Sequence, residues 1–267
     1  MAREAAAGDR DAEVAGFYDR LSRYFHLIHA DWWDSVRRDA ATVDRMIRAR
    51  LPHFAEPAGT RILDCAAGIG TQSIGLHRLG YDVLACDAST EALETLQEHL
   101  AKDAEASRRP LRTQQADFRK LPETLPGERF DVVIALDNSV AHMLTNADLE
   151  AALASMGAMA KPGGLVLVAL RPYDQLLEER PLVMPPQPSV TPERISYQIW
   201  RWSGTDLLTP HLFLILPDDR VLTWHTTLRA IRLREVTDTW KRLGWRAEAL
   251  QPEQSGHFQP LVVASKA

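Results

Sequence analysis

Three aspartates stand at the ends of three strand-like segments near the middle of the chain, where they can act on one ligand. Asp64, Asp87 and Asp117 each close such a segment. Because the carboxyl ends of parallel strands meet at one edge of a sheet, we expect the three carboxylates to line a common site. Asp87 can accept hydrogen bonds from two ribose hydroxyls. Asp117 can accept one from an adenine amino group while Phe118 contacts the ring.

A loop of small residues follows the first of these aspartates. Ala66 and Gly68 stand between Asp64 and a helix that is predicted to begin at Thr71. Small side chains let the backbone approach a ligand closely, and an acid at the end of the next strand can hold a ribose. This order of elements indicates a site for a nucleoside-containing cofactor. Ser73 occupies the position where a dinucleotide fingerprint has its third glycine, so the pattern disfavours a dinucleotide.

Strands and helices alternate through the segment that contains these acids. The predicted elements are strands 61–65, 82–87, 111–117, 129–137 and 165–170 and helices 71–80, 90–104 and 147–160. The apolar run at 129–137 is nearly continuous, as expected of a strand that is covered on both faces. This alternation predicts an α/β fold with a doubly wound, mostly parallel sheet.

The segments on either side of this core have different patterns. Apolar residues recur at helical spacing within residues 12–51, which predicts N-terminal helices. Five prolines between 181 and 192 predict a loop, and the apolar runs after it predict antiparallel strands that form a cap over the substrate side. The predicted units are an N-terminal helical segment, a cofactor-binding core, an antiparallel β cap and a C-terminal helix and strand, with bounds 1–52, 53–175, 176–232 and 233–267.

Composition limits the class of protein. The chain has 267 residues and a formal net charge of −5, and this mild acidity disfavours a general nucleic-acid binder. The N-terminus lacks the apolar core of a secretion signal, and no run approaches the length that spans a bilayer. Cys65 and Cys86 fall in predicted buried strands without a metal-binding pattern. We therefore expect reduced thiols, no metal site and a cytoplasmic protein without membrane contact.

Four motifs carry a family resemblance. They are LDCAAGIGTQSIGL at 63–76, CDAS at 86–89, ALDNSVAHML at 135–144 and KPGGLVLVALRPYD at 161–174. With them the chain resembles the class I S-adenosylmethionine-dependent methyltransferases, and within these the glycine N-methyltransferase and glycine/sarcosine methyltransferase group. The resemblance covers residues 15–175, and the remainder only in outline. It implies a Rossmann-like fold, S-adenosylmethionine as the cofactor and an enzyme that methylates a small molecule. Ile69 replaces a threonine that is common in the family.

The resemblance also implies a helical lid over the cofactor. Tyr18, Tyr24 and Trp33 would close over the cofactor, and Arg38 would bind its carboxylate. Taken alone, aromatic residues at helical spacing are more often part of a core. The full set of predicted cofactor-binding residues is Tyr24, Trp33, Arg38, Asp64, Ala66, Gly68, Asp87, Ala88, Asp117, Phe118, Leu136 and Asp137.

A second implication concerns the acceptor. Leu136, Asp137 and Asn138 would line the methionine end of the cofactor. Asn138 and Arg171 would face the acceptor, since a guanidinium fork donates two parallel hydrogen bonds to a carboxylate. A surface ion pair is the alternative role for Arg171. His142, the third predicted catalytic residue, would hydrogen-bond a carbonyl or accept a proton, and an ordinary structural histidine is the alternative.

The predicted cap departs from the amino-acid-methylating family. Ile231 and Arg232 stand where tyrosines are expected. The cap is also rich in large aromatic residues, namely Trp200, Trp202, Phe213 and Trp224. These aromatic residues form either the core of the cap or a wall for an acceptor that is larger or more apolar than glycine.

Four functions remain open at this point. The first is methyl transfer to a nitrogen of a small, carboxylate-bearing, amino-acid-like metabolite, with the cofactor supplying the electrophile and the protein supplying orientation. The second is methylation of a carbon, oxygen or ring nitrogen of a specialised metabolite. A cofactor-binding module or partner subunit without catalysis is the third, and a nicotinamide-dependent dehydrogenase is the fourth. No nucleic-acid partner is expected, and a homo-oligomer stays open.

Overall fold

The strands of the chain form two sheets, one central and one smaller. The computed structural model describes residues 2–51, 53–190 and 193–266. The helices are α1 (Ala2–Phe25), α2 (Trp32–Arg50), α3 (Thr71–Arg78), α4 (Thr90–Lys102), α5 (Leu121–Thr124), α6 (Asn146–Met159), α7 (Tyr173–Glu179), α8 (Leu233–Arg242) and α9 (Pro252–Ser255). The strands are β1 (Arg61–Asp64), β2 (Asp82–Asp87), β3 (Arg112–Gln115), β4 (Phe130–Ala135), β5 (Ala160–Ala169), β6 (Val183–Val190), β7 (Glu193–Ser203), β8 (Leu207–Ile215), β9 (Val221–His225), β10 (Leu228–Arg229), β11 (Arg246–Leu250) and β12 (Leu261–Ser265).

The central sheet has the predicted doubly wound architecture. Its strand order is β11-β12-β5-β4-β1-β2-β3. The five strands from β1 to β5 are parallel, and β12 and β11 add antiparallel strands at one side. The mixed α/β fold predicted from the alternating pattern is therefore confirmed, since each crossover between parallel strands carries a helix or a helical turn.

Two apolar cores lie on opposite faces of the central sheet. Successive strand residues point to opposite faces, so Ile62 enters one core and Leu63 the other. The Ile62 side is covered by α2, α3 and α4, and Val43 of α2 is among its buried residues. The Leu63 side is covered by α6 and α8, which contribute Met156 and Trp240. Both faces of the strands are thus sealed from water.

The smaller sheet is antiparallel, as predicted for the cap. Its order is β10-β8-β7-β6, and β9 also pairs with β8. The loop predicted from the five prolines is wrong for residues 183–190, which form β6. This strand tolerates prolines because it lies at the sheet edge and its pairing with β7 shifts register between Met184 and Gln187. Pro192 lies outside the described residues.

Helix α1 joins the two sheets. Phe17 and Leu21 of this helix pack with Trp224 in a third apolar cluster, and the Trp224 indole N–H donates to the Arg20 carbonyl at 3.2 Å. Buried Arg194 of β7 donates to backbone carbonyls of the turn that follows α1. The N-terminal helix is therefore held against the cap by apolar packing and by hydrogen bonds.

Within residues 2–51, 53–190 and 193–266, every helix is too short or too polar to cross a membrane.

Gly75 of α3 should be indispensable for the packing of α2 against α3. A Cβ atom at this position would lie 2.5 Å from the Val36 carbonyl oxygen and 2.6 Å from Ala40 Cβ. We expect Gly75→Ala to lower the free energy of unfolding by about 1–3 kcal/mol, because the two helices must separate. Urea denaturation measures this. Gly59→Ala is the control, since its Cβ would meet no atom within 4 Å, and equal effects of the two substitutions would contradict the packing argument.

Candidate active site

A cavity of about 580 Å³ opens at the carboxyl ends of the first four parallel strands, beneath α1. It lies where the strand order reverses, because β1 stands between β2 and β4. Doubly wound sheets bind ligands at this point. The predicted site residues that line the cavity are Ala66, Gly68, Asp87, Ala88, Asp117, Phe118, Leu136, Asp137 and His142.

Asp87 connects two of the loops that line the cavity. Its Oδ2 accepts a hydrogen bond from the Gly68 N–H at 2.8 Å, and its Oδ1 accepts one from the Ser89 N–H at 2.9 Å. Burial raises the pKa of Asp87, while these backbone hydrogen bonds lower it. Each carboxylate oxygen has a second lone pair, so Asp87 can accept two more hydrogen bonds from a ligand in the cavity.

Asp64 lies behind the cavity wall and does not line it. Its side chain is buried, and Ser73 donates to it at 2.6 Å across the small-residue loop. Burial raises the pKa of Asp64 to about 7, although the hydrogen bonds from Ser73 and the Ala66 N–H oppose the shift. The structure therefore places Asp64 where it holds the loop, and its predicted contact with the cofactor stays a prediction.

Asp117 forms an ion pair that the sequence analysis missed. Arg119 Nη2 lies 2.6 Å from Asp117 Oδ2, and Arg119 Nη1 lies 3.6 Å from Asp148. Burial would raise the pKa of Asp117, but the hydrogen bonds from Arg119 lower it, so Asp117 is a carboxylate at the cavity wall. Phe118 lies beside it. Arg119 follows Asp117 by two residues in the same loop, and this short separation was the sequence feature from which the ion pair could have been predicted.

The segment after β4 turns sharply at Asp137 and Asn138, whose φ angles are +52° and +70°. This left-handed backbone favours Asn and Asp among the non-glycine residues. Asp137 faces the cavity, whereas Asn138 is buried and accepts a hydrogen bond from the Arg171 backbone N–H at 3.1 Å. The structure thus brings Asn138 and Arg171 together, and it places Asn138 outside the cavity lining.

Arg171 borders a second, smaller cavity of about 180 Å³ beneath the cap. Its guanidinium carbon lies 5.0 Å from the centre of the Trp200 ring. The buried Nη1 atom of Arg171 has no hydrogen-bond partner among the described residues. Ser196 and Gln198 add polar groups to this cavity, and Met184 adds an apolar one.

His142 is half-buried and hydrogen-bonded to helix α1. Its Nε2 lies 2.9 Å from the Tyr18 hydroxyl, which comes from α1. Burial, assisted by the nearby charge of Arg171, lowers the pKa of His142 to about 4. Burial and the charges of Asp87 and Asp137 raise the pKa of Tyr18. The tyrosine hydroxyl therefore keeps its proton, and it shares this hydrogen bond with a neutral imidazole.

Besides Asp64, three further residues predicted to contact the cofactor do not line the cavity. Tyr24 packs on Trp224, with ring centres 5.6 Å apart. Trp33 packs against Trp32 at 4.7 Å, and Arg38 is about half exposed, with ion pairs to Asp34 and Asp39 at 3.7 and 3.5 Å. Tyr18, which was also predicted to close over the cofactor, does line the cavity, and on the side nearest α1 it is joined by Glu13, Val14, Ala15 and Phe25.

Some of the aromatic residues of the cap belong to its core, and one forms part of a cavity wall; these were the two predicted roles. Trp200 lines the smaller cavity, although it is almost fully buried. Trp224 packs on α1, and Trp202 donates to the Pro181 carbonyl at 3.0 Å. Phe213 stacks on Tyr197 with ring centres 4.8 Å apart. Among the four, the structure brings Trp200 to a cavity wall.

Further lining residues lay outside the predictions. Ser89 caps α4, accepting from the Ala92 N–H at 3.1 Å, and it also donates to Asp19 of α1 at 2.5 Å. Gln72 lines the larger cavity and has a buried side-chain nitrogen without a partner in the described part of the chain. Thr226 and Thr227 reach the cavity from the cap. No local pattern marks the two threonines, because their position depends on how the cap packs.

The charge of the larger cavity fits a cationic ligand. Five carboxylates and one guanidinium line it among the described residues: Glu13, Asp87, Asp117, Asp137, Asp148 and Arg119. This surplus would repel the pyrophosphate of a dinucleotide and attract a sulfonium. Within the described ranges, no three His, Cys, Asp or Glu side chains are grouped as a metal site requires.

Burial of Asp64 should make stability depend on pH. The carboxyl has a pKa of about 7 in the folded protein and an ordinary value of 3.8, so between these values the folded state retains a proton that the unfolded chain loses. The free energy of unfolding should therefore fall as pH rises from 4 to 7, by on the order of 2–4 kcal/mol. Urea denaturation of wild type and Asp64→Asn across this range isolates the effect. Parallel profiles for the two proteins would disprove it.

Comparison with known proteins agrees with this geometry. Residues 62–164 match the family described as Methyltransferase domain. The glycine/sarcosine N-methyltransferase of Parasynechococcus marenigrum (strain WH8102) is 37% identical over 152 residues, which are 55% of this chain and 51% of the relative. The chain spans about half the length of the curated relatives it matches.

Solved structures extend the likeness of fold to nearly the whole chain. An S-adenosylmethionine-dependent methyltransferase from Clostridium acetobutylicum ATCC 824 aligns with a TM-score of 0.71 at 15% identity, covering 96% of this chain and 98% of that one. CalS10 from Micromonospora echinaspora, an amino pentose methyltransferase solved with S-adenosylmethionine bound, aligns with a TM-score of 0.65 at 19% identity, covering 87% and 92%. The match of residues 62–164 to the family described as Methyltransferase domain, the glycine/sarcosine N-methyltransferase relatives and the shared fold confirm the predicted resemblance to the class I S-adenosylmethionine-dependent methyltransferases.

Proposed function

We propose that this chain transfers a methyl group from S-adenosylmethionine to a nitrogen of a small, carboxylate-bearing acceptor. The observation that carries the proposal is the acidic cavity at the strand reversal, in which Asp87 is held by two backbone N–H groups and keeps free lone pairs. A vicinal diol suits this carboxylate, and a sulfonium suits the surrounding negative charge.

The strand order gives the cofactor a direction. Asp117 follows β3, Asp87 ends β2 and Asp137 follows β4, so the three acids are arranged in this order along one sheet edge. With the ribose on Asp87 and the adenine between Asp117 and Phe118, the rest of the cofactor extends towards Asp137. Asp87 and Asp137 are two strand spacings apart, about 10 Å, which the methionine tail of the cofactor can span.

The acceptor is proposed to bind at the smaller cavity with its carboxylate on Arg171. The buried, unpartnered Nη1 of Arg171 is a donor that a carboxylate would satisfy. The Asn138 amide oxygen fixes the backbone of Arg171 at 3.1 Å, so its proposed contribution is to position the guanidinium. Trp200 supports the other face of that group.

The proposed reaction depends on how the protein positions the acceptor relative to the methyl group of the cofactor. When bound, S-adenosylmethionine supplies an electrophilic methyl group. The chain holds the acceptor in line with the bond that breaks and keeps water out, and such orientation can contribute roughly 7–11 kcal/mol. A histidine whose pKa is about 4 is a poor proton acceptor, so we assign His142 to holding Tyr18 rather than to base catalysis. The acceptor amine must then arrive without its proton.

Helix α1 is proposed to act as the lid. Two hydrogen bonds attach it to opposite sides of the cavity: Tyr18 to His142 at 2.9 Å and Asp19 to Ser89 at 2.5 Å. Both must break if the helix is to move away and admit the cofactor. We accordingly retain residues 1–52 as the proposed lid, 53–175 and 233–267 as the core, and 176–232 as the cap.

A second candidate is methylation of a specialised metabolite at carbon, oxygen or a ring nitrogen. The walls of the smaller cavity favour it, because Met184, Trp200 and Leu212 would contact an apolar or aromatic group that glycine lacks. CalS10, which shares the fold, is an amino pentose methyltransferase. Acceptors without a carboxylate therefore belong in the assay beside the amino acids.

Transfer of labelled methyl from S-adenosylmethionine tests the function. The panel is glycine, sarcosine, larger amino acids, aromatic and heterocyclic acids, and amino sugars. Label in an amino acid or another carboxylate-bearing amine supports the first candidate. Label only in acceptors without a carboxylate, or on carbon or oxygen, supports the second. S-adenosylmethionine binding without transfer to any acceptor would leave a binding module, and an absence of binding would refute the proposal.

Arg171→Gln should separate acceptor binding from cofactor binding. Loss of a charged hydrogen-bond donor to a carboxylate costs about 1.5–3 kcal/mol, so kcat/KM for a carboxylate-bearing acceptor should fall about 10- to 150-fold. The Kd for S-adenosylmethionine should stay within about twofold, because Arg171 does not line the larger cavity. Arg201→Gln, an exposed arginine of β7, is the matched control. An unchanged kcat/KM would exclude the carboxylate contact.

The pH profile should report the acceptor amine and not His142. Because the pKa of His142 is about 4, this histidine stays neutral over the working range. The logarithm of kcat/KM should rise with unit slope until the acceptor amine has lost its proton, then level off. Steady-state rates of wild type and His142→Gln should give profiles of the same shape. An inflection near neutral pH that disappears in His142→Gln would identify the histidine as a base.

A further inference from the structure

A polar cluster that includes Asp137 lies next to the cavity, and Asp39, His257 and Gln259 are its buried members. We call it the tail cluster, and it consists of Arg38, Asp39, Asp137, His257 and Gln259. Arg38 and Asp39 come from α2, Asp137 follows β4, and the other two precede β12. The Gln259 side-chain nitrogen donates to Asp137 Oδ1 at 3.4 Å. This bond links the C-terminal segment to an acid of the cavity wall.

The tail cluster contains three buried polar atoms without a hydrogen-bond partner in the described part of the chain, although Asp39 Oδ1 forms an ion pair with Arg38 Nε at 3.5 Å. They are Asp39 Oδ1, His257 Nε2 and Gln259 Oε1. The residues that carry them are 3%, 2% and 7% exposed. A buried polar atom without a hydrogen bond destabilises the folded protein, so His257 Nε2 and Gln259 Oε1 are groups that a ligand or its water shell would satisfy.

The charges of the tail cluster match an α-amino acid. Two carboxylates, Asp39 and Asp137, accompany one guanidinium, Arg38, with Arg38 Nε 3.5 Å from Asp39 Oδ1. Burial raises the pKa of Asp39 to about 6 despite Arg38, and burial lowers the pKa of His257. The surplus of carboxylate suits an ammonium, while the guanidinium suits a carboxylate, and an α-amino acid carries both groups.

We infer that His257 and Gln259 are positioning residues that hold Asp137 for the α-ammonium group at the methionine end of the cofactor. The inference rests on the proposed function, because the direction of the cofactor along the sheet edge brings its tail to Asp137. Gln259 orients the carboxylate through the 3.4 Å hydrogen bond. His257 supports Gln259, since the Gln259 backbone N–H lies 3.1 Å from His257 Nδ1.

The test compares two ligands that differ at the methionine end. S-adenosylhomocysteine has the α-amino acid group, and 5′-methylthioadenosine shares its adenosine and sulfur but lacks that group. Calorimetric titration of Gln259→Met should show the Kd for S-adenosylhomocysteine raised about tenfold or more, with the Kd for 5′-methylthioadenosine within about twofold. Gln175→Leu, an exposed glutamine of α7, is the control and should change neither value.

A second variant keeps the inference testable if Gln259→Met does not fold. Asp137→Asn removes the charge and suits the left-handed backbone at this position, because Asn adopts such φ values readily. It should show the same selective loss of S-adenosylhomocysteine. Equal loss of both ligands, or no loss of S-adenosylhomocysteine, would overturn the inference while leaving the proposed function intact. A wild-type protein that binds neither ligand would refute the proposed function itself.

Discussion

The site depends on one carboxylate, Asp87, and the two backbone N–H groups that it holds. Gly68 lies in the loop after β1 and Ser89 at the start of α4, and both donate to Asp87 within 2.9 Å. The bonds fix the separation of the two loops, and so set the shape of the cavity floor. They also leave outward lone pairs for a ligand. Asp64 and Ser73 brace the same loop from behind at 2.6 Å.

Negative charge is concentrated at the larger cavity, where it destabilises the folded protein and favours the binding of a cation. Buried or half-buried carboxylates at the cavity and behind its wall repel one another, and burial raises the pKa values of Asp64 and Asp87. A bound sulfonium and ammonium would relieve this repulsion without moving the sheet. Ligand binding should therefore stabilise the folded protein, since a ligand that binds only the folded state shifts the folding equilibrium. The tail cluster extends the same principle along the sheet edge.

Local pattern predicted the central sheet and its acids, because continuous apolar runs and small-residue loops reflect burial and chain turns within a few residues. Asp87 and Asp117 needed no knowledge of distant contacts to be placed at strand ends. Local sequence patterns could not predict contacts between distant segments, such as the packing of Tyr24 on Trp224 and the hydrogen bond from Gln259 to Asp137. The prolines of β6 led to the wrong prediction of a loop for a related reason, because only the pairing with β7 shows that this segment is an edge strand.

A crystal structure of the protein with S-adenosylhomocysteine tests the central claim most directly, because it locates every part of the ligand at once. We expect the ribose hydroxyls on Asp87, the adenine beside Asp117 and Phe118, and the α-amino acid end at Asp137. A ligand bound with its ribose away from Asp87, or with its direction along the sheet edge reversed, would contradict the account.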